Sequence, residues 1–258
     1  LHGRTFFSLQ KECPVTLNRC LVIIPTYNEI ENIHDIVSAV LRQGSQFHLL
    51  IVDDNSPDGT GDVATILSQK EPRIHVLRRK GKMGLGTAYI AGFRYGLENG
   101  FDYIFEMDAD FSHNPDDLPR LLAACADGGA DVAIGSRYVQ GGNIKNWSKD
   151  RLILSYGASL YVRSITWLPV SDPTAGYICY KRRVLEALDL SKIQFVGYTF
   201  QIEMKYYSWL KGFRLKEIPI TFVDREKGNS KMHANIVSEA IKGVITMRWR
   251  KLTGYYQN

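Results

Sequence analysis

The chain has no uninterrupted apolar run near the roughly 18 residues that a membrane-spanning helix requires. Nor does its start carry the basic, apolar and small-residue succession of a secretory signal. Cysteine is scarce. Cys13, Cys20, Cys125 and Cys179 are scattered and never form C-x-x-C, so reduced thiols and a cytoplasmic protein are expected. The phosphate-binding glycine signatures are missing too. Gly81-Lys82 is followed by Met83, which breaks G-x-x-x-x-G-K-[ST], and Gly84-Leu85-Gly86 lacks the third glycine of G-x-G-x-x-G, where Tyr89 stands. These glycines read as a tight turn at a helix start. Any phosphate must then be held by metal and basic side chains instead of a glycine cradle.

What is present is ordinary globular material. With 45% hydrophobic and 23% charged residues, the 258-residue chain can form one large α/β domain or two small ones. The net charge of +5 is unevenly spread. Acid and base mix early, whereas the stretch from Lys145 to Lys251 is richer in Lys and Arg. A basic half suggests a polyanionic ligand or an anionic surface. No nucleic-acid partner is expected, because helix-turn-helix, zinc-finger and aromatic-basic RNP patterns are all lacking.

Leu21-Val22-Ile23-Ile24, halted by Pro25, reads as a buried strand. Ile33, Ile36, Val37, Val40 and Leu41 then repeat as one face of an amphipathic helix. Further strands are expected at 49–52, 74–77, 103–107 and 131–134, with helices through Ala64 to Leu67 and over 87–97 and 118–126. Such alternation predicts an α/β fold, a doubly wound and mostly parallel sheet with helices on both faces. Beyond Arg137 the pattern predicts helices over 152–167 and 199–210, strands over 177–180 and 216–222, and a mobile loop over 224–233. A last helix carries Ile236, Val237, Ala240, Ile241, Val244 and Ile245 on one face. No linker divides the chain. The expected organisation is an N-terminal extension over 1–20, in part a cloning remnant or trimmed start, a catalytic domain over 21–234, and an amphipathic basic helix and tail over 235–258.

The functional centre is expected at Met107-Asp108-Ala109-Asp110-Phe111-Ser112-His113, just past the fourth strand. Alternation puts Asp108 and Asp110 on one side of an extended chain. Two carboxylates that close repel each other unless a cation or a proton sits between them. In open α/β sheets ligands bind beyond the carboxyl ends of strands, so the polar clusters after Ile24, Val52 and Met107 should converge on one crevice.

Three segments stand in order: Pro25-Thr26-Tyr27-Asn28-Glu29, the stretch from Val52-Asp53-Asp54 through Gly59-Thr60, and Asp108-Ala109-Asp110. Together they resemble the inverting nucleotide-sugar glycosyltransferases of family 2, which have the GT-A fold. Gly84-Leu85-Gly86-Thr87-Ala88-Tyr89, Gly135-Ser136-Arg137-Tyr138, and Phe222-Val223-Asp224-Arg225 with Gly228, Ser230 and Lys231 narrow the likeness to dolichol-phosphate (polyprenyl-phosphate) mannose synthases. The resemblance covers about Leu21 to Thr246.

The resemblance implies transfer of mannose from GDP-mannose to a polyprenyl or dolichyl phosphate. On that basis Pro25, Tyr27 and Glu29 line the guanine and ribose pocket, with Val52 and Asp54 beside them. Asp54 has a second reading as a helix N-cap. Asp108, Ala109 and Asp110 meet the diphosphate, and Asp108 and Asp110 hold its Mg²⁺ or Mn²⁺. Arg137 lies near the sugar and acceptor phosphate, with Arg151 and Ser155 on a looser match. Arg225 and Lys231 fold over the donor phosphates, so Asp110, Arg137 and Arg225 are the expected catalytic residues.

A lipid phosphate is already ionised near neutral pH and needs positioning more than a strong base. That suits a chain without a Ser-His-Asp set, in which His113 and His233 read as bystanders. The acceptor further implies peripheral association with the cytoplasmic face of a membrane, through the basic, aromatic end of the last helix or an anchoring partner subunit. Two rivals remain. One is a UDP-sugar donor, such as UDP-glucose, on the same acceptor. The other is a non-catalytic binding partner that has kept the fold.

Overall fold

Alternate side chains of the first strand enter two different cores, and that division sets the architecture. In β1 (Cys20–Thr26), Leu21 and Ile23 join one buried cluster, whereas Cys20, Val22 and Ile24 join another on the opposite face. A strand buried on both sides needs helices on both sides. The computed structural model describes residues 18–197, 199–224 and 234–256. After β1 come α1 (Ile33–Leu41), β2 (Phe47–Asp53), α2 (Thr60–Lys70), β3 (Ile74–Arg78), α3 (Leu85–Glu98), β4 (Tyr103–Glu106) and α4 (Leu118–Ala126). The second half runs β5 (Val132–Ser136), β6 (Asn143–Lys145), α5 (Lys149–Thr166), β7 (Ile178–Lys181), α6 (Arg182–Ala187), α7 (Thr199–Leu210), β8 (Leu215–Pro219), β9 (Thr221–Val223) and α8 (Ala234–Leu252).

The main sheet has the order β3-β2-β1-β4-β7-β5-β8. Every neighbouring pair is parallel except those of β7, which runs antiparallel to β4 and β5. The chain winds outward from β1 to β3, then returns to place β4 on the other side of β1. The order therefore reverses between β1 and β4, where ligand crevices form in such sheets. α3 lies tightly on this switch. A Cβ added to Gly92 would come within 2.7 Å of Ile23 Cγ2, so glycine lets the helix close on the strand.

The alternation legible in the first half is present, with strand and helix ends within a few residues of expectation. Four details differ. The single strand expected over 216–222 is two, because the chain leaves the main sheet at Pro219 and β9 pairs with β6 in a separate two-stranded sheet. β6 and α6, three and six residues long, are too short to show a period. The direction of β7, antiparallel to both neighbours within a sheet that is mostly parallel as expected, was not marked in the sequence. The N-cap reading of Asp54 does not hold: Gly59, at φ 90°, occupies that position of α2.

α8 is integral to the fold. Its Val244 and Met247, with Tyr256 just beyond, are buried in the same cluster as Leu21 and Ile23. Arg250 Nη1 donates to the buried Glu203 Oε1 of α7 at 3.0 Å, and Tyr256 Oη donates to the same oxygen at 2.9 Å.

Candidate active site

The end of β4 delivers the carboxylates as alternation requires. Met107 and Ala109 point into the core cluster that also holds Val22 and Ile24. Asp108 and Asp110 face the other way and line a cavity of about 580 Å³. Ala109 is 4% exposed, so its side chain belongs to the core and only its backbone can meet a ligand. The turn is held locally. Ser112 N–H donates to Asp110 Oδ1 at 3.1 Å, and Phe111 adopts φ 59° to let the chain double back.

His113 is no bystander. It is buried, its ring stacks on Tyr177 at 4.9 Å between centroids, and its Nδ1 accepts the Asp108 N–H at 3.2 Å. Burial pushes its pKa down to about 4, against the pull of Asp110, so the ring is neutral near pH 7. It fixes Asp108 as an acceptor and does not serve as a charged group.

On the β1–β2 side of this centre stand the residues expected at the nucleotide. Pro25 and Val52 are direct partners in the parallel ladder. Val52 is wholly buried, with its side chain in the core, so its backbone is the part it can offer to a ligand. Tyr27 is half-buried, with Lys82 Nζ 4.9 Å from its ring centroid. Glu29 Oε2 accepts from Asn32 Nδ2 at 3.0 Å, and its N–H donates to Thr60 Oγ1 at 3.0 Å. Asp54 is engaged through both oxygens, which accept from Arg79 Nε at 2.5 Å and Nη2 at 2.7 Å. Arg79 Nη1 also donates to Thr87 Oγ1 at 2.7 Å. The Asp54 and Gly84-to-Tyr89 motifs are thus two ends of one clamp.

On the other side, beyond β7 and β5, stand the residues expected at the acceptor. Arg137 is gripped by Asp172, whose oxygens accept from Nε at 2.7 Å, Nη2 at 2.6 Å and the backbone N–H at 3.0 Å. Thr174 Oγ1 accepts from Nη2 at 2.8 Å. Arg151 Nη1 donates to Asp224 Oδ2 at 2.7 Å. Trp147 stands between the two guanidiniums, its ring centroid 4.0 Å from Arg151 Cζ and 5.5 Å from Arg137 Cζ. Ser155 Oγ accepts from Tyr138 Oη at 2.7 Å. Arg151 Nε and Trp147 Nε1 are buried donors with no hydrogen-bond partner among the described residues. The Trp147 Nε1 and the Arg151 guanidinium, with that of Arg137 beside them at the cavity wall, can together seat an anion. Away from this end the cavity is walled by apolar side chains of α5 and α8, among them Ile153, Leu154, Tyr161, Ile241 and Val244.

The residues at the β4 tip fit a hard divalent cation. Two carboxylates face the cavity, and the Ser112 hydroxyl beside them is buried with no hydrogen-bond partner among the described residues. No group of three or more His, Cys, Asp or Glu able to hold a metal occurs among the described residues. An ion held here would need ligand phosphates and water to complete its shell, as Mg²⁺ commonly does. Arg225, Lys231, His233 and Cys13 lie outside the described residues.

Sequence reading passed over Asp172, Thr174, Trp147 and Arg79. No local pattern in the sequence marks Asp172-Pro173-Thr174 or Arg79 as part of a site. Only the tertiary fold brings either to its partner.

A family model described as Glycosyl transferase family 2 matches residues 21–189. The chain is 50% identical over 234 residues to polyprenol monophosphomannose synthase of Mycolicibacterium smegmatis, covering 89% of this chain and 88% of that protein. It is 48% identical over 238 residues to undecaprenyl-phosphate mannosyltransferase of Micrococcus luteus, covering 91% and 97%. Among solved structures, glucosyl-3-phosphoglycerate synthase from Mycobacterium tuberculosis, in complex with Mn²⁺, UDP-glucose and glycerol 3-phosphate, superposes with a TM-score of 0.63 at 16% identity, covering 89% of this chain and 78% of that one.

Proposed function

The chain belongs to glycosyl transferase family 2, and from that premise we propose that it transfers mannose from GDP-mannose to a polyprenyl phosphate with inversion at the anomeric carbon. The observation that carries this reading is the shape and chemistry of the cavity. One end holds Arg137, Arg151 and Trp147 beside the carboxylate pair, and the remainder is an apolar channel between α5 and α8. A lipid bearing one phosphate has the same two parts. The mannose and prenyl-phosphate specificity accords with the names of the two relatives.

In this reading the nucleotide lies over the ends of β1 and β2, against Tyr27 and Glu29. Its diphosphate reaches the tip of β4, where Asp108, Asp110 and the Ser112 hydroxyl would hold a divalent cation. When bound, the cation neutralises charge on the departing diphosphate. The acceptor phosphate docks against Arg137, Arg151 and Trp147, which point a phosphate oxygen at the anomeric carbon. That oxygen is already anionic, so no general base is required, and a neutral His113 is consistent with that. Arg225 and Lys231 add cationic contacts to the leaving nucleotide as the bond breaks.

The open side of the channel faces a bilayer in this reading. Among the described residues no helix is long and apolar enough to cross a membrane. However, Ile153 and Leu154 on α5 and Ile241, Ile245, Trp249 and Leu252 on α8 are exposed. With Arg248 and Lys251 nearby, this surface suits shallow docking onto an anionic leaflet.

The test is incubation with labelled GDP-mannose and a polyprenyl phosphate, with UDP-glucose in parallel, followed by solvent extraction. Labelled lipid from GDP-mannose, abolished by EDTA and reduced about a hundredfold or more by Asp110→Ala, is expected. Label transferred only from UDP-glucose overturns the donor assignment. Unimpaired turnover in EDTA or in Asp110→Ala overturns the mechanism.

A further inference from the structure

One buried polar side chain in the cavity wall has no task in the reaction described above. Gln201, the third residue of α7, lines the cavity with Asp108, Asp110 and Thr174, and is only 2% exposed. Its Nε2 donates to Glu106 Oε2, on the last residue of the strand that leads into the carboxylate pair. That bond orients the amide and leaves Oε1, which has no hydrogen-bond partner among the described residues. A buried acceptor without a donor is costly.

The amide is also held in place. Lys205, one turn along α7, is fully buried, and its Nζ donates to Gln201 O at 2.9 Å and to Ala175 O at 2.6 Å. Both the helix turn under Gln201 and the loop facing it are pinned by one ammonium. Gly176 keeps the space in front of the amide small but open. A Cβ there would lie 3.7 Å from Gln201 Nε2 and 3.7 Å from His113 Cε1, so the amide borders the same pocket as the imidazole that holds Asp108.

We propose that Gln201 Oε1 accepts a hydrogen bond from a hydroxyl of the donor's sugar and is a specificity-determining contact for that sugar. The inference rests on the sugar-transfer reading and adds to it a residue and a chemistry. A carbonyl oxygen only accepts hydrogen bonds and has no proton to offer an ionised phosphate oxygen, so neither the diphosphate nor the acceptor headgroup suits it. A prenyl chain offers no donor. The hexose hydroxyls are the neutral donors that the reaction brings to the tip of β4.

The experiment compares wild type with Gln201→Met, which keeps length and removes the acceptor, using GDP, GDP-mannose and its monodeoxy analogues. In wild type one deoxy analogue is expected to lose roughly tenfold in kcat/KM, the worth of one neutral hydrogen bond. In Gln201→Met, GDP-mannose falls roughly tenfold and that same analogue falls no further. GDP alone binds both proteins within about twofold. Should every analogue be penalised equally in both proteins, or GDP weaken in the variant as much as GDP-mannose, Gln201 is structural and the proposal fails.

If the variant does not fold, the structure of wild type with bound donor decides. Oε1 within about 3.2 Å of a sugar hydroxyl supports the contact, and no hydroxyl within about 4 Å overturns it. A wild type that uses UDP-glucose and not GDP-mannose overturns the functional reading alone, and the same comparison then runs on deoxy analogues of UDP-glucose.

Discussion

Asp172 is wholly buried and accepts three hydrogen bonds from Arg137. Burial by itself pushes this carboxyl up, but the guanidinium outweighs burial and holds its pKa below the ordinary value. An unfolded Asp titrates near 3.9. The pair therefore contributes fully above about pH 4, and its contribution fades as the pH falls through the lower folded value. Asp172→Asn leaves Arg137 buried without its counter-charge, which costs about 3–5 kcal/mol. Denaturant unfolding should show that deficit at pH 7 and a shrinking deficit in increasingly acid buffer. A deficit that stays constant down to acid pH would mean the loss is one of packing.

The pair also shows what could be read in advance. The facing of Asp108 and Asp110 followed from strand period, which is local. Arg137 was found through a motif, but its partner lies 35 positions away, and no local pattern joins them. The same limit hid the engagement of Asp54 by Arg79.

Helices α5 and α8 differ from α1 in how their apolar residues are used. In α1 the apolar face is buried throughout, with Ile33, Ile36, Val37 and Val40 all in the core. In α8, Val244 and Met247 pack inward while Ile245, Trp249 and Leu252 stay exposed. The sequence showed that α8 has apolar positions, and its basic end suggested a surface, but periodicity does not say which apolar residues lack a protein neighbour. β7 was opaque for a related reason, since a four-residue strand with three buried positions reads alike in either direction. If the outer face of α8 enters a bilayer, Ile245→Glu/Trp249→Glu should weaken binding to anionic vesicles about tenfold or more, since burying each such side chain is worth roughly 1.5–3 kcal/mol. Neither residue lines the cavity, so turnover of a short, water-soluble prenyl phosphate should be preserved. Co-sedimentation with vesicles checks the first outcome. Unchanged sedimentation would place the membrane contact elsewhere or nowhere.

In the proposed reaction the sheet order separates the donor from the acceptor. β1 and β2 lie on one side of β4, β7 and β5 on the other, and the carboxylate pair stands at the tip of the strand between them. Tyr27, Glu29 and the Asp54–Arg79–Thr87 clamp belong to the first side, and Arg137, Trp147 and Arg151 to the second. The alternation that made the fold legible predicted that polar strand ends would meet, but not this partition, because crossover direction is absent from a list of elements. It has a measurable consequence. A cation held by Asp108 and Asp110 would join the donor alone to the protein, so EDTA should weaken GDP binding roughly tenfold or more while polyprenyl-phosphate binding changes by less than about twofold. Arg151→Ala should do the reverse, since it removes a charged contact to the acceptor phosphate and touches nothing on the β1–β2 side. Trp147, stacked on Arg151 in the cavity wall, offers an intrinsic fluorescence probe of the acceptor end, and calorimetry reports the donor. If EDTA and Arg151→Ala each weakened both ligands alike, donor and acceptor would share one seat, and the division of the crevice by β4 would have to be given up.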